Sequence, residues 1–132
     1  MPFVQIHTSR PVSATVRDRL GLALANAYAE HMQTNHRIVN VGFALFGDGQ
    51  LVRYDGPGDL PQEMTVVTCE IRAGRPPEML EAAARAISAA CSRDLEIPAA
   101  RVVVYMNEHA GSHIYRDGGR APDWSPVERA LR

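Results

Sequence analysis

Hydrophobic and polar residues follow one another along this chain in an order that is used twice. Residues 3–8 alternate between the two classes and carry β-branched types, which predicts a half-buried strand. Ser13 is a good N-cap, and from residue 14 to about 32 the apolar positions recur at helical spacing. Residues 38–46 are apolar enough for a largely buried strand. Residues 47–61 are punctuated by glycine and proline, so we interpret them as a connector.

The second half of the chain repeats this order. Residues 64–71 predict a strand, an alanine-rich helix runs from 78 to about 92, and residues 101–106 are rich in β-branched types. The Arg-Pro pair at Arg10 recurs at Arg75, and a pair of β-branched residues recurs at the same offset of 65 positions. A constant offset between two landmarks indicates an internal duplication.

The duplication predicts an α+β fold made of two tandem β-α-β units. Together they form a four-stranded sheet with two helices on one face. The 132 residues fit a single domain, with repeats at 2–60 and 64–119 and a tail at 120–132. We expect the other face of the sheet to be rich in Val, Ile and Phe and therefore to be covered by further copies of the chain. In the tail, Ser125 and Glu128 form a capping box before a short helix, and we expect Trp124 to anchor it.

Composition and charge exclude several classes of function. The net charge of −1 leaves no electrostatic footprint for nucleic acid, and no apolar run is long enough to span a membrane. No signal peptide precedes Phe3, so we expect a cytoplasmic protein whose two cysteines are buried and reduced. His31 and His36 have no Cys or carboxylate pattern near them, so no metal site is predicted.

All fourteen basic residues are arginine, and this changes the chemistry that a pocket can offer. Schiff-base chemistry on a lysine is excluded, and any fixed positive charge is a guanidinium. The planar guanidinium binds a carboxylate at two points, which suits a site for small organic acids.

Pro2 is the candidate base. A small residue in second place normally allows Met1 to be removed, and Pro2 then carries a free secondary amine. Such an amine is a general base only if its pKa lies near neutral pH, and nearby cations or an apolar pocket lower it. The alternative is that proline merely opens the strand, where its missing N–H does no harm.

These features together resemble the tautomerase superfamily over residues 2 to about 119. The resemblance rests on the strand that Pro2 opens, the arginine in the turn after it, and the run Arg101-Val102-Val103-Val104 before a glycine-rich end. The doubled length is similar to a fused form of 4-oxalocrotonate tautomerase. The turn Ile71-Arg72-Ala73-Gly74-Arg75 is similar to the two-arginine turn of cis-3-chloroacrylic acid dehalogenase. Tyr105-Met106-Asn107 resembles a Tyr-x-Asn strand of macrophage migration inhibitory factor.

The resemblance implies a role for each matching residue. Pro2 would be the catalytic base, and Arg75, with Arg72 beside it, would hold the carboxylate of a small substrate. Arg101 would polarise the substrate carbonyl, and Tyr105 and Asn107 would line the pocket. Arg37, the first-half counterpart of Arg101, is a further candidate for substrate binding. Each of three candidates has an alternative. Arg101 can be a solvated surface charge, Tyr105 can be core, and Arg37 can be structural or exposed.

The implied activity is that of a cofactor-independent keto–enol tautomerase acting on a small 2-keto or 2-hydroxydienoic acid. The implied assembly is a homotrimer with one site per chain, because Val67 stands where Pro2 would repeat. Hydrolytic dehalogenase, hydratase or decarboxylase chemistry is the alternative. Dehalogenase-like members have a carboxylate beyond the last strand and a histidine in the first helix, where this chain has Arg116 and Tyr28. A non-catalytic signalling or scaffold protein is the third possibility, favoured if Met1 is retained.

Overall fold

The computed structural model describes residues 2–130, with side chains described for residues 2–128. The first half contains two strands of the main sheet, one long helix and two short strands that pair with each other: β1 (Phe3–Thr8), α1 (Ala14–Met32), β2 (Asn40–Leu45), β3 (Val52–Arg53) and β4 (Gln62–Glu63). The second half contains β5 (Thr65–Arg72), α2 (Pro77–Leu95), β6 (Val102–His109), β7 (Tyr115–Arg116), β8 (Gly119–Arg120) and α3 (Val127–Ala130). Short 3₁₀ turns at His36–Ile38 and Ala99–Arg101 precede β2 and β6.

The main sheet has four strands in the order β2-β1-β5-β6. β1 is parallel to β2, where Phe3 pairs with Asn40, and antiparallel to β5, where Phe3 pairs with Glu70. β5 is parallel to β6, where Thr65 pairs with Val102. Each half is therefore a β-α-β unit, and the predicted α+β fold is confirmed.

Both long helices begin and end for local reasons. Ser13 caps α1 as predicted, because its Oγ accepts a hydrogen bond from the Val16 N–H at 3.2 Å. α2 begins at Pro77, a residue whose missing N–H costs nothing at a helix start. The two helices end alike, at Gln33 and Glu96, which both adopt a left-handed conformation and donate their N–H back into the helix.

One core lies between the sheet and the two helices. The inward positions of β1 and β5 alternate with outward ones, as the period of a strand requires. They pack against buried helix residues in a single cluster that includes Val4, Ile6, Val67, Cys69, Ile71, Leu20, Leu24, Tyr28, Ile87 and Cys91. Both cysteines are buried and free, as predicted.

We call the face of the sheet opposite the two helices the bare face. The prediction that this face is rich in Val, Ile and Phe is wrong for isoleucine. The strand isoleucines Ile6 and Ile71 lie at inward positions, because the alternation of buried and exposed residues assigns them to the helix side. The bare face instead mixes apolar and polar side chains. From β1, β5 and β6 it carries Phe3, Gln5, His7, Val66, Thr68, Glu70, Val103, Tyr105 and Asn107.

The repeat offset also differs from the prediction. The two long helices have 19 residues each, and α2 begins 63 positions after α1, as does the second 3₁₀ turn after the first. The Arg-Pro landmark does not follow this offset, because Arg10 lies four residues before the start of α1 and Arg75 lies two residues before the start of α2. By the structural offset, Thr65 and not Val67 occupies the place of Pro2 in the second unit, so the absence of a second proline stands.

The segment from residue 111 onward contains more order than the sequence predicts. β7 and β8 form a small hairpin, and the chain then returns to the main sheet. Trp124 is buried and donates its backbone N–H to the Ala73 carbonyl at 2.9 Å, which confirms it as an anchor. Among the described residues no helix is long and apolar enough to cross a membrane.

Candidate active site at the Pro2 edge

The strands of the sheet begin and end along two opposite sides. We call each side an edge and name it by the residue that lies there, Pro2 or Arg101. At the Pro2 edge, β1 and β2 begin and β5 and β6 end. At the Arg101 edge, β1 and β2 end and β5 and β6 begin. Each helix runs back across its unit, so α1 ends at the Pro2 edge and α2 at the Arg101 edge.

Pro2 is buried directly ahead of β1. Its carbonyl accepts hydrogen bonds from the backbone N–H of Asn40 at 3.0 Å and from the Asn40 side-chain amide at 3.3 Å. Continuing the antiparallel register by one residue sets Pro2 beside Ile71, and Arg72 is the next residue of β5. Pro2 and the end of β5 therefore lie at the same edge.

Arg72 is buried at the end of β5 with 6 % of its side chain exposed. Its Nη1 donates to the Pro122 carbonyl at 2.8 Å, and its Nη2 donates to the Glu128 carboxylate at 2.5 Å. Both partners belong to the tail, so the tail covers this guanidinium.

Arg75 is also buried, in the turn between β5 and α2. Its Nε–H donates to the carbonyl of Met32, the last residue of α1, at 2.9 Å. The guanidinium carbon lies 4.9 Å from the ring centre of Trp124 and 5.9 Å from that of Tyr28. The cation is thus held between two aromatic rings, an arrangement that stabilises positive charge away from water.

Tyr28, in α1, is the second aromatic residue beside Arg75. Burial raises the pKa of its phenol to about 12, although the positive charge of Arg75 acts in the opposite direction. The phenol therefore stays neutral at pH 7. A neutral phenol is not a base, so Tyr28 contributes an aromatic surface and not a proton acceptor.

Gly74 allows the tail to approach. Its φ of 122° lies in the region that favours glycine, and a Cβ there would lie 2.3 Å from the Trp124 carbonyl oxygen. Any side chain at this position would push the tail away from the two arginines. The glycine between Arg72 and Arg75 is thus required by the tail.

The bare face next to Pro2 carries a polar cluster that the sequence did not indicate. Glu70 accepts hydrogen bonds from the His109 Nε2 and from the Asn107 side-chain amide, the latter at 3.1 Å. The hydrogen bond from His109, with a smaller contribution from Asn107, lowers the pKa of Glu70. Asn107 therefore lies at the Pro2 edge, bound to a carboxylate, while Tyr105 lies two residues further from that edge and is 54 % exposed.

The two remaining predicted residues lie in different places. Arg37 is exposed in the 3₁₀ turn that precedes β2, at the Pro2 edge. Arg101 lies at the Arg101 edge, about 20 Å from Pro2 by the rise of a six-residue strand. Its Nη1 forms an ion pair with Asp55 at 2.8 Å. Within one chain the structure brings Arg72, Arg75, Arg37 and Asn107 to the edge where Pro2 lies, but not Arg101.

Three contributors to the site came from the tail and were missed: Pro122, Trp124 and Glu128. The available signal was the capping box, which placed a carboxylate at Glu128 but gave no information about its partner. The site can neutralise an anion with two arginines beside a buried proline. Across residues 2–128, no group of three or more His, Cys, Asp and Glu side chains is arranged to hold a metal ion.

Comparison with known proteins identifies the fold. No protein-family model and no curated protein matches the sequence. Among solved structures, the chain is similar to N1, a member of the cis-3-chloroacrylic acid dehalogenase family, at 18% identity and a TM-score of 0.81, covering 98% of this chain and 90% of that one. It is similar to the fused 4-OT Q0, a symmetric trimer, at 18% identity and a TM-score of 0.79, covering 98% and 99%.

A third similar structure is Pt0534 inactivated by 2-oxo-3-pentynoate, at 18% identity and a TM-score of 0.80, covering 90% of this chain and 94% of that one. These three likenesses extend over nearly the whole chain. The chain therefore has the fold of these structures, and the fold that the sequence predicted is confirmed.

Proposed function

We propose that this chain belongs to the tautomerase superfamily and is a cofactor-independent keto–enol tautomerase of a small 2-keto or 2-hydroxydienoic acid. The observation that supports this most is the position of buried Pro2 at the sheet edge where buried Arg72 and Arg75 also lie. A base and a pair of fixed cations are the groups that proton transfer next to a carboxylate requires.

The proposed reaction begins after removal of Met1, which converts the Pro2 nitrogen from an amide into a secondary amine. The amine takes a proton from the carbon next to the substrate carbonyl and returns it to another carbon. Arg72 and Arg75 bind the substrate carboxylate. A guanidinium or a backbone N–H stabilises the negative charge that develops on the enolate oxygen.

The environment favours the neutral amine. Two guanidinium groups at the same edge disfavour a further positive charge, and the burial of Pro2 acts in the same direction. We therefore expect the pKa of the Pro2 amine to lie below that of an ordinary secondary amine, near the pH at which the enzyme works.

We propose a homotrimer as the active assembly. The symmetric trimer of the fused 4-OT Q0 and the uncovered sheet face of this chain support it. Phe3 and Tyr105 are large side chains exposed on that face at 40 % and 54 %. Sedimentation should give three times the mass of the chain, and a stable, fully active monomer would refute the assembly.

Water-adding chemistry is the second candidate, and one observation favours it. Glu128 supplies a carboxylate from beyond the last strand of the main sheet, although not at Arg116 where the sequence comparison located that position. Its ion pair with Arg72 makes it a poor base, so we rank this candidate second. Turnover of 3-haloacrylate without ketonisation of phenylenolpyruvate would reverse the ranking.

The experiment that tests the proposal measures the amine directly. Intact mass of the purified protein should lack one methionine. Incubation at neutral pH with 2-oxo-3-pentynoate, the compound that inactivated Pt0534, should add one label per chain and abolish ketonisation of phenylenolpyruvate. Peptide mapping should assign the label to Pro2.

Pro2→Ala and Arg10→Ala are the matched variants for this labelling. Arg10 lies at the other edge and should leave the labelling rate unchanged, whereas Pro2→Ala should slow it. Full activity in protein that still carries Met1 would contradict the proposal, since the Pro2 nitrogen would then have no basic lone pair.

A further inference from the structure

We propose that residues 125–128, which we call the latch, are a displaceable cover of the arginine pair, and that Glu128 holds the place of a substrate carboxylate. The inference rests on the proposed function in one respect, namely that Arg72 binds the carboxylate of the substrate. In the free protein, a carboxylate of the chain itself occupies the position on Arg72 that a ligand would take. A small carboxylate ligand must therefore displace Glu128 before it binds.

The contact between Glu128 and Arg72 has the geometry of carboxylate recognition. The distance from Arg72 Nη2 to Glu128 Oε2 is 2.5 Å, and the two side chains are 6 % and 19 % exposed. The neighbouring Nη1 is bound to the Pro122 carbonyl. Charge-assisted hydrogen bonds of this kind are among the strongest in proteins, so a ligand carboxylate competes for a position that is already satisfied.

The attachments of the tail are unequal, and this makes the latch separable. Residues 121–124, which we call the anchor, include two buried residues, Ala121 and Trp124. Ala121 donates its N–H to the Ile114 carbonyl, and Asp123 accepts the Gly111 N–H. By contrast, residues 125–127 of the latch are exposed. Glu128 can therefore leave Arg72 without removing Trp124 from the core.

A second observation points to a ligand at the same place. The indole Nε1–H of Trp124 is buried, and no acceptor for it is present among the described residues. A buried donor without an acceptor is costly, and native proteins rarely keep one without a reason. Trp124 also stacks on Arg75. The ring that carries this donor has its centre 4.9 Å from the Arg75 guanidinium carbon, so the unsatisfied group belongs to a side chain beside the arginine pair.

The latch predicts a definite direction for the effect of removing its charge. Glu128→Gln keeps the size of the side chain and removes the competing carboxylate, so a larger fraction of the protein is open. Because the apparent dissociation constant is the intrinsic one divided by the open fraction, the variant should bind 2-oxobutanoate about tenfold more tightly than the parent. Glu128→Asp restores the charge and should return the affinity toward that of the parent.

The control for charge is Asp48→Asn, which removes one negative charge from an exposed turn beyond the Arg101 edge. It should leave the affinity unchanged. Binding is followed by the emission of Trp124, which is the only tryptophan of the chain. Thermal unfolding of every variant checks that the fold is retained.

A nitroxide label measures movement of the latch itself. Val127 is 67 % exposed, and burial raises the pKa of the Cys69 and Cys91 thiols to about 12, so a thiol reagent should label Val127→Cys alone. The mobility of the label should increase when 2-oxobutanoate is added, whereas ligand binding ordinarily restricts a nearby segment. With Glu128→Gln added, the label should be mobile before any ligand is present.

The possible outcomes separate the latch from the proposed function. Tighter binding by Glu128→Gln together with a ligand-dependent rise in mobility supports the latch, even if Pro2→Ala shows no role for the amine. Unchanged or weaker binding by Glu128→Gln overturns the latch, and so does a label whose mobility falls or stays constant on binding. Absence of any binding of 2-oxobutanoate to either protein also overturns it, because the displaceable position would then not accept a carboxylate.

Discussion

Arg75 and Arg10 lie at opposite edges of the sheet, and each donates its Nε–H to a carbonyl at the end of the other unit's helix. Arg75 binds Met32 at the end of α1 at 2.9 Å, and Arg10 binds Leu95 at the end of α2 at 3.0 Å. The two units therefore make the same kind of connection, although Arg75 lies two positions beyond Ala73, the structural counterpart of Arg10. The surroundings differ. Arg75 is 7 % exposed between two aromatic rings, whereas the side chain of Arg10 is 36 % exposed.

The difference shows what converts a structural arginine into a candidate binding group. At the Arg101 edge, Arg10 is also bound to the Glu96 carbonyl after the end of α2 and to the Glu63 carboxylate in β4. At the Pro2 edge, the tail adds Trp124 beside Arg75, and a second arginine, Arg72, joins it. Pro2 and the tail residues that contact Arg72 and Arg75 lie at this edge, and neither Pro2 nor the tail is part of the repeat, so the repeat by itself does not make a site.

The largest effect is expected at Pro2, which has no proline counterpart in the second unit. Pro2→Ala should lower kcat for phenylenolpyruvate ketonisation at least about 100-fold, because it replaces the secondary amine that serves as general base. Steady-state kinetics on protein of verified mass measures this. Thr65→Val is the matched variant, because Thr65 occupies in the second unit the place that Pro2 has in the first. It should cost about 1 kcal/mol in stability, since Thr8 loses its hydroxyl partner, and leave kcat unchanged. Equal loss of rate in both variants would show that Pro2 acts through the fold.

The next comparison uses the paired arginines. Arg75→Ala should raise KM for a 2-keto acid at least about tenfold, which corresponds to about 1.4 kcal/mol of lost binding. Arg10→Ala should leave KM unchanged, because its guanidinium lies at the other edge. Circular dichroism at the assay temperature confirms that both variants are folded. The same KM change in both variants would remove the distinction between the edges.

Gly74 tests whether the tail depends on close approach. Gly74→Ala should destabilise the protein by about 3 kcal/mol, because a Cβ there would lie 2.3 Å from the Trp124 carbonyl oxygen and the backbone φ is 122°. Gly49→Ala also has a positive φ, of 73°, but nothing lies within 4 Å of its Cβ, so about 1 kcal/mol is expected. Urea unfolding of both variants measures the contrast, and equal losses would mean that the tail yields without cost.

The smallest effect concerns acid stability at the Arg101 edge. The Arg93 hydrogen bond, with its charge and that of Arg19, lowers the pKa of Asp94, a carboxylate with 4 % exposure. A folded-state pKa below the unfolded value means stability that is present above the ordinary Asp pKa and is lost as pH falls through the folded pKa. Asp94→Asn should reduce this acid loss in a pH series of urea unfolding. An unchanged pH slope would show that the carboxylate contributes nothing.

The sequence by itself determined the elements and their order. The alternation at residues 3–8 set the inward positions of β1, Ser13 set the start of α1, and the repeated order of elements predicted the four-stranded sheet. The alternation and the cap depend on residues only a few positions apart, so local spacing contains the information, and the order of the elements follows from reading them along the chain. The same alternation assigns Ile6 to the helix side, and counting β-branched residues without it led to the wrong composition of the bare face.

Only the tertiary structure decided which charged groups meet. Arg72 and Glu128 are 56 positions apart, yet their side chains are in contact, whereas Arg101 pairs with Asp55 in the connector at the other edge. No spacing rule connects such positions, because their meeting depends on the register between β1 and β5 and on the path that Gly74 opens for Trp124. The arginines of a candidate site were visible in the sequence. Their cover was not, since a contact between distant segments is fixed by packing and not by any local pattern.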